Sequence, residues 1–350
     1  MLFNVELDAG NGVVGYLVPD NGAEQPMIAV ETGGREILRM ACTEKREVVV
    51  THGRHPTGLV GFRFDETIIP ELASIEDLTI RDARSGLMIY RRYELRQVQM
   101  RVFRLETRLV AGEAIDRALA DRFQFHITHA DLYGHETVTQ SIRLHLVGSV
   151  YSSGRHIYRN YRDALPDDFV KLIVVQDPFV ELAERLIMLR AGPEVAPRDL
   201  GERDIGQLMH AFDWFGEVDL ADDRALRRAL RRLPERAAPA VRSPLTRQLA
   251  AQSHDEALKV GSVTLAVDAL SEFSVIGRRE RADALQRDLS ALFGQPLPPI
   301  VEPPRSDALA LAERLRRLQI AEETVAEDLV VHHHLSRADE PGAFGDRISA

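Results

Sequence analysis

The sequence predicts a two-domain α+β protein, in which an N-terminal β-sandwich precedes an α/β domain with a helical C-terminal part. Short segments rich in valine, isoleucine and aromatic residues follow one another over residues 1–92 without an intervening helical pattern. A continuous apolar run, KLIVV (171–175), is typical of a strand buried on both faces. Beyond residue 200, apolar residues recur at three- and four-residue spacing, which predicts helices.

The N-terminal domain is predicted over residues 1–92. Turn-forming sequences such as PDNG (19–22) and TGG (32–34) separate its segments. Many short strands without helices between them favour a sandwich. The predicted strands are residues 12–18, 27–31, 35–40, 46–51, 59–64 and 86–92.

A linker helix is predicted over residues 93–118. The apolar residues of this segment recur at three- and four-residue spacing, which is the period of one helix face. They are Leu95, Val98, Val102, Leu105 and Leu109.

The second domain is predicted over residues 119–335, and a disordered tail over 336–350. A strand at 123–128 leads towards a helix around 141–148. After KLIVV, a helix begins at once, with Asp177 as its N-cap and a proline at its first position. Further helices are predicted around 205–216, 222–235, 245–260, 280–293 and 306–329.

Composition limits the class of protein. The chain has 350 residues and a net charge of -10, from 44 basic and 54 acidic residues, which argues against a general nucleic-acid binder. No run approaches the roughly 20 apolar residues of a membrane span. The N-terminus lacks the pattern of a signal peptide, and Cys42 is the only cysteine. These features together predict a cytoplasmic location.

Two strand-to-helix turns are candidates for binding an anion, because a helix N-terminus offers free N–H groups and the positive end of a dipole. One turn lies within residues 126–142 and the other within 174–182. Neither matches a Walker P-loop, and the first contains no lysine.

The order of these features resembles the sulfotransferases that use the nucleotide donor PAPS, above all their carbohydrate branch and its uronyl 2-O-sulfotransferase type. The resemblance covers residues 123–335 and implies a P-loop-like α/β domain. It depends on a strand ending in His-Ile, a Thr-rich turn and a later strand ending in Asp-Pro-Phe. Four further stretches match: GRHIY (154–158), SPLTRQLA (243–250), FSVIGRRERADALQRDLSALFG (273–294) and EDLVVHHHL (327–335).

The resemblance implies transfer of a sulfo group from PAPS to a carbohydrate hydroxyl, with His156 as the general base. The unperturbed pKa of histidine, about 6.5, suits that task. No metal is expected, since the spacing of the histidines around residue 129 matches no zinc pattern. The N-terminal domain is a candidate surface for a protein partner. The residues placed at the PAPS-binding site are His129, Thr137, Thr139, Gln176, Arg185 and Arg247.

The sequence departs from the family pattern at each PAPS contact. The family's lysine position falls on His129 or, counted back from the helix, on Glu136, and its glycine falls near Thr139. Gln176 replaces an arginine and Glu184 a serine, so a carboxylate stands near the expected 3′-phosphate.

Three functions therefore stay open. The first is sulfo transfer from PAPS. The second is a catalytically inactive sulfotransferase-fold protein that binds a glycan or a protein. The third is transfer from another activated donor. Arg185 supplies a cation for the phosphate only if the start of its helix shifts.

Two features nearer the C-terminus allow a binding interpretation beside a structural one. Arginines line one face of the helix predicted at 222–235, where a solvated face is the default. A sulfated or acidic glycan and, as a minor option, a membrane surface are the alternative ligands. Trp214 and Phe215 suit either core packing or stacking on a sugar.

Overall fold

The computed structural model describes residues 1–110, 112–144, 147–195 and 200–338. Within these ranges the chain is a mixed α/β protein that divides into two compact units. Both units are discontinuous, whereas the sequence predicts one domain after the other. Unit 1 comprises Met1–Phe103, Asp116–Ser153 and Pro166–Phe169, and unit 2 comprises Arg104–Ile115, Gly154–Leu165 and Val170–Ala350.

The N-terminal part of unit 1 forms two four-stranded antiparallel sheets, in line with the predicted run of short strands. The strand orders are β1-β2-β6-β5 and β4-β3-β7-β8. The strands are β1 (Leu2–Asp8), β2 (Gly12–Val18), β3 (Met27–Thr32), β4 (Arg35–Ala41), β5 (Glu44–Lys45), β6 (Leu59–Asp65), β7 (Thr79–Asp82) and β8 (Met88–Arg91).

These strands bury one set of side chains and expose much of the other. Phe3, Ile28, Phe62 and Phe64 are each fully buried. Gly15 in β2 is required by close packing, because an added Cβ would lie 2.6 Å from the carbonyl oxygen of residue 4 and 2.5 Å from the Phe62 ring.

The strand predicted over residues 46–51 is wrong, because this segment forms the short helix α1 (Glu47–Thr51). None of its residues is buried, and Val48 is 69% exposed. Valine favours strands mainly by packing on a half-buried sheet surface. Without such a surface, that preference does not decide the local structure.

The linker helix predicted over 93–118 is also wrong. The middle of the segment forms β9 (Arg101–Leu105), and only its end is helical, in α2 (Glu113–Leu119). Val102 to Leu105 are all buried, as in a strand covered on both faces, so the segment has no alternating pattern. Leu95 is 95% exposed and belongs to no apolar face.

A further sheet has five strands in the order β10-β11-β9-β12-β13. Parallel pairing joins β10 to β11 and β12 to β13. The helix predicted around 141–148 instead occupies residues 135–142, and His145 and Leu146 lie outside the described residues. The new elements are β10 (Phe125–Ile127), α3 (His135–Ile142), β11 (Val150–Gly154), β12 (Phe169–Val175) and β13 (Val275–Arg278).

Helices dominate the rest of unit 2, as the sequence predicts. In the core of this unit α4 packs against α5 and α10, with Leu182, Leu186 and Leu315 fully buried. The helices are α4 (Pro178–Ala191), α5 (Glu202–Phe215), α6 (Asp223–Arg231), α7 (Pro244–Ala250), α8 (Ser262–Leu270), α9 (Ala282–Leu292), α10 (Ser306–Leu315), α11 (Gln319–Thr324) and α12 (Ala326–Ala338).

Three predicted boundaries differ from the structure. The helix predicted at 245–260 ends at Ala250, and the one predicted at 306–329 is divided among α10, α11 and α12. The tail predicted over 336–350 begins inside α12, and residues 339–350 lie outside the described residues. Across the described ranges, every helix is too short or too polar to cross a lipid bilayer.

Candidate functional site

The turn between β12 and α4 has the local structure that the sequence predicts. Asp177 is the N-cap, and its carboxylate accepts hydrogen bonds from the backbone N–H groups of Phe179 (2.9 Å) and Val180 (3.2 Å). Pro178 occupies the first turn, where its missing N–H has no cost. The carboxylate therefore takes two of the N–H groups that a phosphate would use.

Charged side chains also surround the start of α4. The N–H group of Asp177 donates a hydrogen bond to Glu280. Arg316 lies 2.8 Å from the Asp177 carboxylate and covers the ring of Phe179 at 4.9 Å. The helix start thus already carries an ion pair made within the chain.

Behind this turn lies a cluster that we call the carboxylate–arginine network: Gln176, Glu181, Glu184, Arg185 and Arg279. The amide nitrogen of Gln176 donates to Glu181 and, at 3.0 Å, to Glu184. Arg279 donates to the amide oxygen of Gln176 and, at 2.8 Å, to Glu184. Two carboxylates and two guanidinium groups therefore balance in charge around one amide.

Arg185 uses all three of its guanidinium nitrogens inside unit 2. Nε donates to Glu181, Nη1 to the carbonyl oxygen of Ala240 (3.0 Å) and Nη2 to that of Thr107 (3.3 Å). The residue is 6% exposed. The four-residue spacing places Glu181 and Arg185 side by side on α4. These bonds hold the guanidinium among protein groups, so it is not directed at a ligand.

A narrow cavity adjoins the network. Its volume is about 20 Å³, which is room for about one water molecule. Arginines 104, 108 and 279 contribute to its wall, together with Gln176 and the carboxylate of Glu106. The cavity is rich in positive charge but too small for a phosphate group with its five heavy atoms.

Glu106 anchors the loop that forms one side of this cavity. Its carboxylate accepts hydrogen bonds from Arg104 (2.9 Å) and from the backbone N–H groups of Arg108 (3.0 Å) and Gly112 (3.2 Å). Burial alone would raise the pKa of Glu106, but the two arginines and these hydrogen bonds lower the pKa to about 2. Glu106 is therefore ionised and neutralises part of the arginine charge.

Arg247, which the resemblance places at the PAPS site, has a structural contact in unit 2. Its Nη1 donates to the carbonyl oxygens of His254 (3.2 Å) and Glu256, so it holds the loop that follows α7. The residue is 6% exposed, and burial lowers the pKa of its guanidinium.

The start of α7 is capped by a carboxylate from α12. Asp328 accepts hydrogen bonds from the N–H groups of Leu245 (3.1 Å) and Thr246 (2.7 Å). Burial raises the pKa of Asp328 to about 6, despite these hydrogen bonds. Ser243, just before the helix, has a positive φ of 40° and donates to Glu327 at 2.7 Å.

His156, the predicted general base, is 5% exposed and lies in unit 2. Its ring centroid is 4.5 Å from that of Tyr161. The neighbouring Arg155 donates to Asp204 (2.6 Å) and to the carbonyl oxygen of Leu109 (2.9 Å). A general base must come within hydrogen-bond reach of the hydroxyl that it deprotonates. The buried ring meets that requirement only if this segment opens.

The first predicted anion turn belongs to unit 1. His129 has a positive φ of 49°, a conformation that histidine adopts more readily than most residues. The hydroxyl of Thr139 lies 3.4 Å from Nε2 of His135, one turn earlier on α3. Within the described ranges, no three His, Cys, Asp or Glu side chains are grouped as a metal site.

Thr137, on the same helix, is fully buried. Its hydroxyl accepts a hydrogen bond from the amino group of Met1 at 2.9 Å. Glu136, the alternative occupant of the lysine position, pairs with Arg54 at 2.7 Å. The polar groups at the start of α3 therefore have partners within unit 1.

The structure thus brings together Gln176 and Arg185 in one network of unit 2, and it places His129, Thr137 and Thr139 in unit 1. Glu181 and Arg279 are members of the network that the sequence reasoning missed. The spacing of Glu181 and Arg185 was a readable signal. The partnership of Arg279 with Gln176 was not, because 103 positions separate them.

No protein-family model matches the chain, and the search of curated proteins finds no significant match.

Proposed function

We propose that this chain is a sulfotransferase-like protein that no longer transfers a sulfo group from PAPS and instead binds a glycan or a partner protein. The carboxylate–arginine network carries the proposal. At the two positions where the resemblance expects an arginine and a serine, Gln176 and Glu184 bond to each other and to Arg279.

The energetics of an added phosphate support the same conclusion. A phosphate at the start of α4 would meet the carboxylate of Asp177 and, behind it, those of Glu181 and Glu184. Burying a further negative charge beside carboxylates is unfavourable unless a cation is released to pair with it. Freeing Arg185 or Arg279 would in turn leave Glu181 or Glu184 without its guanidinium.

Calorimetry with adenosine 3′,5′-bisphosphate tests the proposal directly. This nucleotide is the product that remains after PAPS loses its sulfo group, and it carries the phosphates that the site would bind. We expect no heat of binding at millimolar nucleotide. Binding at micromolar concentration would reject the proposal.

A gain-of-binding variant makes the test sharper. Gln176→Arg combined with Glu184→Ser restores the arginine and serine that the resemblance implies. We expect this double variant to bind the nucleotide more tightly than either the wild type or Gln176→Arg alone. In the single variant, Glu184 remains as a competitor for the new arginine.

Sulfo transfer is the second candidate function. The observation that favours it is the presence of His156 in GRHIY (154–158), the segment that resembles the one carrying the family's catalytic histidine. If the wild type binds the nucleotide, transfer to an oligosaccharide should be measured with sulfur-labelled PAPS. Loss of transfer in His156→Ala, with nucleotide affinity unchanged, would then support His156 as the base.

A further inference from the structure

The strand β4 forms an open edge of a sheet in unit 1. It is the terminal strand in the order β4-β3-β7-β8, and among the described residues only β3 pairs with it. At the opposite edge of the same sheet, β8 contacts β1 and β10. The outer N–H and C=O groups of an edge strand have no ladder partner, so β4 offers a template on which a further strand can pair.

A β-bulge in β4 decides which of its side chains share a face. In the register of the two strands, Val30 of β3 is paired with Leu38. The next residue of β3, Glu31, is paired with Glu36, so Ile37 is the extra residue of the bulge. The alternation of side chains between the two faces is therefore interrupted at this residue.

As a result, Glu36 and Arg39 lie on the same face of the sheet, although three positions separate them. Their side chains form a bidentate ion pair, in which Nε and Nη2 of the arginine donate at 2.9 and 2.6 Å. Both side chains are exposed, at 38% for Glu36 and 47% for Arg39. Leu38 and Met40 lie on the other face, opposite buried residues of β3, and are themselves only half-buried.

This edge is complementary to a second copy of itself. When two β4 strands run antiparallel about a two-fold axis between Ile37 and Leu38, Glu36 of each copy lies opposite Arg39 of the other. The same axis places Ile37 opposite Leu38 of the second copy, on the apolar face. Opposite charges and apolar side chains that lie directly across from each other stabilise paired strands, whereas charges of one sign would keep two edges apart.

The bulge favours a second β4 over an ordinary strand as the partner. A bulge sets two residues opposite one of a regular strand and interrupts the ladder, so it normally protects an edge from pairing. In the two-fold arrangement, both strands have their extra residue, Ile37, beside the axis. The residue counts of the two strands therefore match, and the side chains on both sides of the bulge stay in register.

We propose that the chain forms a weak two-fold dimer through β4, in which the two four-stranded sheets join into one continuous sheet. The proposal goes beyond the binding role proposed above and does not depend on it. The strand has seven residues, so the contact is smaller than a standard protein interface of about 1,600 Å². We therefore expect a dissociation constant of roughly 100 μM.

Sedimentation velocity of the full chain measures the association. Concentrations from about 5 μM to about 1 mM lie on both sides of the expected dissociation constant. We expect the average mass to rise with concentration from that of one chain towards that of two.

Charge reversal then tests the pairing of side chains. Glu36→Arg places an arginine opposite Arg39 of the second copy, twice in each dimer, and Arg39→Glu places two glutamates together in the same way. Each variant alone should dimerise at least about tenfold more weakly than the wild type, because like charges replace opposite ones. Both side chains are exposed, so losing the ion pair within the chain has little effect on folding.

A mixture of the two variants tests the register. In a dimer of one Glu36→Arg chain and one Arg39→Glu chain, both cross-strand pairs are again opposite in charge. Association in the mixture should therefore return to within about threefold of the wild type. The double variant Glu36→Arg with Arg39→Glu restores complementarity within one sequence, and it should also dimerise as the wild type does.

Matched controls carry the same charge changes outside β4. Glu66→Arg and Arg287→Glu alter exposed residues of other segments. Both should stay within about twofold of the wild type, because a distant exposed charge is screened by salt. Circular dichroism of each variant checks that it is folded.

Three results would overturn the proposal. One is a wild type that remains a single chain at about 1 mM. Another is a dimer that Glu36→Arg and Arg39→Glu leave unchanged, which would place the interface on another surface. The third is a mixture of these two variants that associates no better than either variant alone, which would reject the antiparallel register.

Discussion

Replacing Arg185 with methionine is expected to destabilise unit 2 by about 3–5 kcal/mol, the usual cost of removing one partner from a buried ion pair. Methionine keeps an unbranched apolar stem but removes three hydrogen-bond donors. Among the described residues, the carbonyl groups of Thr107 and Ala240 lose their donor, and Glu181 keeps the hydrogen bond from the amide of Gln176.

The magnitude follows from these contacts. Each buried carbonyl left without a donor costs about 1 kcal/mol or more. The larger share comes from Glu181, which is 7% exposed and would lose its guanidinium. Little of the side chain reaches water, so solvent cannot replace the lost ion pair.

Urea-induced unfolding, followed by tryptophan fluorescence, measures the effect. Trp214 is the only tryptophan, and it belongs to the same unit as the network, so its signal reports the relevant unfolding transition. Arg227→Met is the matched control. This exposed arginine is also helical, and its replacement should change the free energy of unfolding by less than about 0.5 kcal/mol.

The double variant Arg185→Met with Glu181→Met separates charge pairing from packing. Removing both charges leaves no carboxylate without its guanidinium. The loss in free energy of unfolding of the double variant should therefore be smaller than the sum of the losses of the two single variants, by about 2 kcal/mol or more. A loss below about 1 kcal/mol in Arg185→Met, or strict additivity in the double variant, would refute the reasoning.

Three further predictions concern pH and packing. Burial raises the pKa of Asp328 from 3.8 to about 6, so this group stabilises the fold below pH 4 and loses that contribution as pH rises through 6. The free energy of unfolding of the wild type, measured relative to that of Asp328→Asn, should therefore fall by about 3 kcal/mol between pH 3 and pH 7. A difference between the two proteins in urea unfolding that does not change with pH would contradict this. Glu106 has the opposite sign: its pKa is lowered from 4.5 to about 2, so its contribution is present above pH 4.5 and is lost as pH falls through 2. Glu106→Gln should lower the free energy of unfolding, measured with urea, by about 3 kcal/mol at pH 7 and by clearly less at pH 3. An equal loss at both pH values would argue against an ionised Glu106. Gly15→Ala places a methyl group against the ring of Phe62 and should lower the free energy of unfolding of unit 1 by about 1–3 kcal/mol. Thermal unfolding followed by far-ultraviolet circular dichroism measures the effect. An unchanged midpoint would show that the strands move apart freely.

Local rules predicted the turn at residues 171–186 well. The apolar strand, the Asp177 cap and the proline at the start of α4 are all decided by neighbours in the sequence, and the structure has each of them. The lack of a cation at Gln176 and the negative charge at Glu184 were likewise readable from the sequence.

The partners of those two residues could not be read from the sequence. Arg279 reaches Gln176 across 103 positions, and no periodicity or spacing encodes that contact. The error at β9 has a similar origin, because a strand buried on both faces lacks alternation, and its apolar residues happened to fit a helical spacing. Tertiary burial, which the sequence shows only indirectly, decided both cases.

The network of Glu181 and Glu184 amounts to a ligand that is covalently part of the protein. A carboxylate of the chain itself is always present beside Arg185 and beside Arg279. The effective concentration of such a tethered group is of millimolar order or more for short tethers, far above the concentration of a free nucleotide. A soluble phosphate would have to displace it at every encounter. In the carboxylate–arginine network, adding a cation is therefore expected to increase anion binding less than removing a glutamate that already pairs with an arginine.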